Sequence, residues 1–469
     1  MRVSNPLLWK FPVPAFLRSD SSGVDQLSGG EKLLLLAVIV SVLLDILTNI
    51  FNPSPAVAPL KGLLMVLVVC SFRTFFSYLV TSSFLGIFAL RELNMFYTQH
   101  DVYLVGDLTF FMRIMFFITW LLVFHEKRDR PGFLRCVLEV SVATAVLSVF
   151  CQIAGALFHI GFFQAYGGRL GRSGYKGLFL GENDTSVFYL ILFIEFLHLW
   201  RQGKRLFAPI LLCGLILLGM GSKTSLLGAL VVPILYFFFV HTFRSPLILS
   251  RFAIRPRLAL LWTASICVAG AIAFFAVYRI YDVLTAIKYD QLLRVYKESG
   301  FLSSLLSFRD KKAIGYFLSI GSLPDVLFGL QVRTKLTGFL WEDPGVFMYE
   351  IDLFDYLGRV GLLGVVLTTG LIWKCARVWE WRTRTPELKT LLVTVLLLGC
   401  TVGHTLISSQ NAVWIGFFIV AFARDLTWPK GDSSRTADRV AASGLGSTNG
   451  QGQLQNGSSP YLEPGRSFG

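Results

Sequence analysis

Three carboxylates, Glu350, Asp352 and Asp355, stand where a long polar stretch gives way to an apolar run continuing Asp355-Tyr-Leu-Gly358-Arg359-Val-Gly361-Leu-Leu-Gly364. Ionisable groups at the mouth of a membrane segment are costly to dehydrate, so function is a stronger reason for them than packing. Asp352 and Asp355 are one helical turn apart and share a face, with Glu350 at the rim. A carboxylate so placed can act as a general base toward a sugar hydroxyl. The competing role is a helix N-terminal cap, favoured by the dipole, which accounts for one or two acids more readily than three. The glycines at 358, 361 and 364 point to close helix packing rather than to chemistry.

Cations form the second set. Arg169, Arg172 and Lys176 lie within Gly-Gly-Arg-Leu-Gly-Arg-Ser-Gly-Tyr-Lys-Gly, where glycines admit close backbone approach and guanidinium groups grip phosphate oxygens in pairs. The alternative is a flexible basic loop resting on lipid head groups. Gly219-Met-Gly-Ser222-Lys223-Thr224-Ser225 looks like the end of a nucleotide-binding P-loop, but serine stands where glycine must precede the lysine and no strand comes before it. A lysine flanked by hydroxyls at the mouth between two apolar runs suits an anionic substrate; snorkelling to the interface explains it equally. Arg309 opens Arg-Asp-Lys-Lys-Ala-Ile-Gly-Tyr-Phe, a helix-start pattern, and Pro324-Asp-Val-Leu-Phe-Gly329 reads as a turn that ends it. His100 and His404 have no partner at ligand spacing, and the seven cysteines fall in or beside apolar runs, so no metal site or disulfide framework is expected.

The elements that must position these groups are membrane helices. With 54% hydrophobic and 15% charged residues and a mean hydropathy of +0.62, the chain is too apolar for a soluble protein of 469 residues. Apolar runs predict an all-α polytopic bundle of about twelve spans. They lie near 33–51, 56–72, 75–90, 103–124, 134–160, 185–200, 206–221, 223–241, 258–278, 352–373, 390–406 and 411–424. The second and third runs are short enough to merge or re-enter. Residues 1–32 read as a cytoplasmic tail, 33–277 and 351–424 as the two parts of the bundle, 278–350 as a large external loop, and 425–469 as a disordered tail rich in Gly, Ser, Asn and Gln. Within the loop, Tyr281, Leu284, Ile287, Leu292 and Val295 alternate with charges as in helices lying on a membrane surface.

The net charge of +14 is spread through the loops rather than gathered on a soluble domain, so anionic lipid explains it and nucleic acid does not. Lys127, Arg128, Arg130, Arg201, Lys204, Arg205, Arg251, Arg377, Arg382 and Arg384 occupy alternate connections, while 52–55 and 407–410 hold no lysine or arginine. This asymmetry predicts cytoplasmic termini and external 161–184 and 278–350 segments. Inside the apolar runs, Asp45, Arg73, Arg113 and Glu195 are scattered exceptions.

In the order of these parts, over roughly residues 130–424, the chain resembles the O-antigen ligase and polysaccharide polymerase superfamily of bacterial inner-membrane proteins. Four pieces carry the resemblance: Arg172 with the downstream Asn183-Asp-Thr-Ser; Ser222-Lys223-Thr224; Arg309 followed by Phe-Gly329; and Glu350 through Gly361-Leu-Leu-Gly364. Lys223 replaces the family's arginine, and Glu350 stands where its ligases carry histidine. The resemblance implies a GT-C-like bundle and a metal-independent, cofactor-free, inverting glycosyl transfer at the periplasmic face. Its donor is a glycan on undecaprenyl pyrophosphate and its acceptor a sugar hydroxyl of another lipid-linked unit. Arg169, Arg172, Lys176, Asn183, Ser222, Lys223, Thr224 and Arg309 are implied at the pyrophosphate, with Glu350 as base or acceptor-orienting group supported by Asp352 and Asp355. Membrane lipids, a chain-length regulator and a flippase are the implied partners. Glutamate in place of histidine favours a repeat-unit polymerase; a ligase of finished glycan, a transporter or flippase, and a non-catalytic scaffold are the alternatives.

Overall fold

The computed structural model describes residues 27–51, 57–99, 104–160, 163, 175–179, 181–201, 210, 213–217, 220, 222–242, 316, 317, 319–330, 352–401, 405, 406 and 408–424. Among the described residues the regular elements are helices, with no strand. In chain order they are α1 (Gly29–Phe51), α2 (Val57–Cys70), α3 (Phe75–Gln99), α4 (Leu104–Glu126), α5 (Pro131–Phe158) and α6 (Glu182–Arg201). They continue with α7 (Lys223–Thr242), α8 (Leu323–Phe328), α9 (Asp352–Ala376), a short 3-10 turn (Val378–Thr383), α10 (Pro386–Thr401) and α11 (Ser409–Ala423). Each helix except α8 coincides with an expected span. The expected span at 258–278, the loop helices of 281–315 and the tail from 425 lie outside the described residues.

Four stretches are long and apolar enough to cross a membrane: Phe75–Thr98, Gly106–Glu126, Pro131–Phe158 and Leu353–Ala376. Pro59–Cys70, Leu227–Val240 and Gln410–Ala423 are apolar but shorter. The protein is therefore a helical membrane protein with four full-length candidate spans among the described residues.

The start of α1 and the end of α3 differ from expectation, each for a physical reason. α1 begins at Gly29, inside the stretch assigned to the N-terminal tail, because Ser28 and Glu31 form a reciprocal cap. The Ser28 N–H donates to Glu31 Oε2 at 2.9 Å, and the Glu31 N–H to Ser28 Oγ at 3.4 Å. The second and third apolar runs do not merge: the chain breaks at Phe72–Thr74, where the Glu126 carboxylate receives the Arg73 and Thr74 N–H groups and both the Thr74 and Ser77 hydroxyls. α3 then runs past the expected end at residue 90 as far as Gln99. Its added turn carries Arg91, which is fully buried because Asp107 on α4 and Glu92 beside it supply opposite charge. Exchanging Arg91 for Met leaves Asp107 in the interior without that cation, and should cost about 3–5 kcal/mol. Thermal melting of the purified protein in detergent checks this.

The core centres on α11, too short to span by itself and buried from Gln410 to Ala423. α11 packs against α4 closely enough that a Cβ on Gly416 would lie 3.1 Å from the Leu121 backbone nitrogen. Phe124 meets Phe417 edge-on at 5.4 Å, and Phe188 of α6 meets Trp414 at 5.4 Å. Dense aromatic contact of this kind substitutes for the hydrophobic effect, which is weak between helices already in lipid.

The bundle has a basic end and an opposite end. At the basic end Arg424 pairs with Asp129, Arg130 with Glu31 at 3.5 Å, and Arg384 donates to the Ala423 carbonyl at 2.9 Å. α6, α7, α9 and α11 all begin at the opposite end.

Near its start α9 is interrupted at Gly361, whose φ of 62° and ψ of −172° depart from the helix. The α8 segment docks into this break. Leu330 N–H bonds the Gly358 carbonyl at 2.6 Å and Arg91 Nη1 bonds the Arg359 carbonyl at 2.5 Å. These two donors replace helical partners lost at the break, as buried carbonyls require. Asn94 Nδ2 ties α3 to Asp325 of α8 at 3.2 Å.

Candidate functional site

Polar side chains from six helices converge at the end opposite the cations. α1 contributes Asp45, α2 Lys61, α4 Arg113, α6 Asp184, α9 Asp355, and the start of α11 contributes Ser408, Gln410 and Asn411. Lys61 pairs with Asp45. Asp184 accepts from Asn411 Nδ2 at 3.4 Å and is hydrogen-bonded by the Ser408 side chain. Asp45, Lys61 and Arg113 all act on it electrostatically.

Arg113 is the centre of the arrangement. Its charge is felt by both Asp184 and Asp355, yet among the described residues its guanidinium makes no hydrogen bond or direct ion pair. It is exposed although the adjoining Phe111 and Ile114 are buried at 1% and 0% exposure. A cation within an apolar helix that keeps accessible surface and acts electrostatically on two carboxylates needs a function more than a packing reason. Asn411 Oδ1 and Gln410 Nε2 are buried without a hydrogen-bond partner among the described residues. Buried amides rarely go unsatisfied, so a ligand or water is the expected complement. The arrangement can hold an anion at Arg113 while a neighbouring carboxylate accepts a proton.

Asp355 is fully buried, four residues before the equally buried Arg359, whose guanidinium lies over the Phe110 ring at 5.2 Å and reaches the Leu330 carbonyl at 3.5 Å. Asp352 is the first residue of α9. The starts of α6 and α7 are joined by the Ser186 and Ser222 hydroxyls at 2.8 Å. Ser222 also caps α7, accepting the Ser225 N–H at 3.0 Å. Lys223 is the first residue of α7 and Thr224, beside it, is buried. Asn183 lies in the first turn of α6. Lys176 is half-buried, its N–H bonded to the Phe163 carbonyl at 2.8 Å beyond the end of α5. The structure thus brings Lys176, Asn183, Ser222, Lys223, Thr224, Asp352 and Asp355 to one end of the bundle. Arg169, Arg172, Arg309 and Glu350 lie outside the described residues.

Sequence reasoning passed over the central cation: Arg113 and Asp45 counted only as scattered charges. The available signal was their position, since an ionisable residue well inside an apolar run needs a partner or a function. Asp184 and Asn411 carried no such signal, because both lie at helix starts where polar residues are ordinary.

No family model, curated protein or solved structure matches the chain.

Proposed function

We propose that the protein polymerises lipid-linked polysaccharide repeat units, moving a glycan from undecaprenyl pyrophosphate to an acceptor sugar hydroxyl on the extracytoplasmic side. The observation that carries this reading is Arg113, an exposed residue whose charge acts on both Asp184 and Asp355, at the end of the bundle where α6 and α9 begin. The first turns of α6, α7, α9 and α11 add their positive dipole ends to the same region, which favours a polyanionic ligand.

In this mechanism Arg113, together with Arg172, Lys223 and Arg309, holds the diphosphate and takes up charge as it leaves. A carboxylate, Glu350 or Asp355, removes the proton from the acceptor hydroxyl. The acceptor oxygen bonds to the anomeric carbon as its bond to the pyrophosphate oxygen breaks, and the anomeric configuration inverts. The remaining carboxylates orient the acceptor. A twelve-span GT-C-like bundle in the bacterial inner membrane with both termini cytoplasmic is part of the proposal, as are a flippase and a chain-length regulator as partners.

Mass spectrometry of lipid-linked intermediates from a deletion strain tests the reading. Single repeat units should accumulate. Long lipid-linked polymer would point instead to a ligase, and intermediates trapped on the cytoplasmic face to a flippase. With normal protein levels, Arg172→Ala and Arg309→Ala should each lower polymer output roughly 100-fold, the effect of removing one preorganised charge from a leaving group. Full output from both would remove the loops from the site.

A further inference from the structure

The basic end of the bundle carries a feature that the proposed reaction does not use. α9 belongs to a candidate span that ends at Ala376, and the chain turns at once into Arg377-Val-Trp379-Glu380-Trp381-Arg382-Thr383-Arg384. Arg377 adopts a left-handed conformation, φ 52°, which throws this segment sideways off the helix axis. A cleft of about 450 Å³ is lined by Trp379, Glu380, Trp381, Arg382 and Thr383. Trp379 remains 57% exposed.

Charge in the turn is unbalanced. Glu380 is engaged by Arg377 at 2.9 Å and by Arg384, so its negative charge is already committed. Arg382 is exposed, and its guanidinium makes no hydrogen bond or ion pair among the described residues. Trp381 is held in place from both sides, edge-on to Phe239 at 6.1 Å and with Lys389 Nζ 5.7 Å from its ring centre. Trp379 is steered by its own Nε1–H, which donates to Glu380 Oε1 at 3.2 Å. Above the turn, Leu362, Val366 and Trp373 leave an exposed apolar stripe on one side of α9. Such a stripe suits acyl chains, while indoles and guanidinium groups just past the end of a span suit the head-group layer.

We propose that this turn binds the head group of one anionic phospholipid, with Arg382 on the phosphate, Trp379 against the glycerol region and the α9 stripe along an acyl chain. The stripe and the two indoles distinguish a lipid from a free phosphate, which would have no use for either.

Native mass spectrometry of the full-length protein in detergent, titrated with phosphatidylglycerol or with phosphatidylcholine of the same chains, tests this. The protein should retain phosphatidylglycerol about tenfold more tightly, and Arg382→Gln should weaken that retention about fivefold, the effect of one interfacial cation. Trp379→Ala should weaken retention of both lipids. Both residues are exposed, so these variants should melt as the parent does. Arg135→Ala, at an exposed cation of the same end, should leave the preference unchanged. Equal retention of the two lipids, an equal loss in Arg135→Ala, or displacement of the lipid by inorganic phosphate at equal concentration would overturn the proposal.

Discussion

Arg113→Ala should reduce polymer output on the order of 10²–10³-fold with the protein still present in the membrane at its usual level. The side chain makes no hydrogen bond or direct ion pair among the described residues, so its removal breaks no such contact there. What it removes is the positive charge that acts on both Asp184 and Asp355, leaving two carboxylates uncompensated by it where the proposed diphosphate must bind. Arg113→Lys should recover only part of the loss: it restores the charge but not the paired donors that match phosphate oxygens. Quantifying polymer alongside lipid-linked single units separates failed transfer from failed supply, since failed transfer raises the single units as polymer falls. Parental output from Arg113→Ala would take Arg113 out of the mechanism. Asp355→Asn and Glu350→Gln then divide the roles of the acids, because the one that accepts the proton loses turnover while the other loses apparent affinity for the acceptor.

Gly361→Ala should destabilise the fold by about 3–5 kcal/mol, from a backbone conformation open only to glycine and from the clash of the added methyl. At φ 62° and ψ −172° the residue lies where an L side chain is strained in any surroundings. Its Cβ would fall inside the contact distance of the Leu327 carbonyl and the Phe328 nitrogen, which are backbone atoms and cannot rotate away. The measurement is the melting temperature in detergent, with the fraction of protein reaching the membrane as a second readout. Gly370→Ala is the control: the position is in the same helix, with nothing within 4 Å of an added Cβ, and should melt as the parent does. If Gly361→Ala also melts at the parental temperature, the break in α9 is not set by that residue.

The break was half legible in the sequence. Glycines at 358, 361 and 364 signalled close packing, but they suggested a continuous helix against a neighbour. The structure instead uses Gly361 to interrupt the helix, and Gly329, with φ 95°, to turn the chain after α8 so that the Leu330 N–H reaches the Gly358 carbonyl at 2.6 Å. Which glycine bends and which merely packs depends on the partner backbone, and that partner is some thirty residues away in the chain. Arg91 teaches the same point from the opposite side. The expected span stopped at residue 90, just before it, yet α3 continues through it, because Asp107 of α4 pairs with its charge and the Arg359 carbonyl of α9 accepts its Nη1–H.

The sequence alone determined that the protein is helical and membrane-embedded, and approximately where its helices lie. Those properties follow from local quantities: the length of an apolar run against the thickness of a bilayer, and backbone groups that must bond within their own segment in lipid. It also showed which loops hold the cations. Tertiary structure decided that Arg113, Asp184, Asp355 and Asn411, spread over some three hundred residues, come to the end where four helices begin, within electrostatic or hydrogen-bonding reach of one another. Hydropathy along a chain records how deep each residue can lie but not which way it points around its helix, and it is that rotation, set by packing on α11, which makes isolated charges into a site.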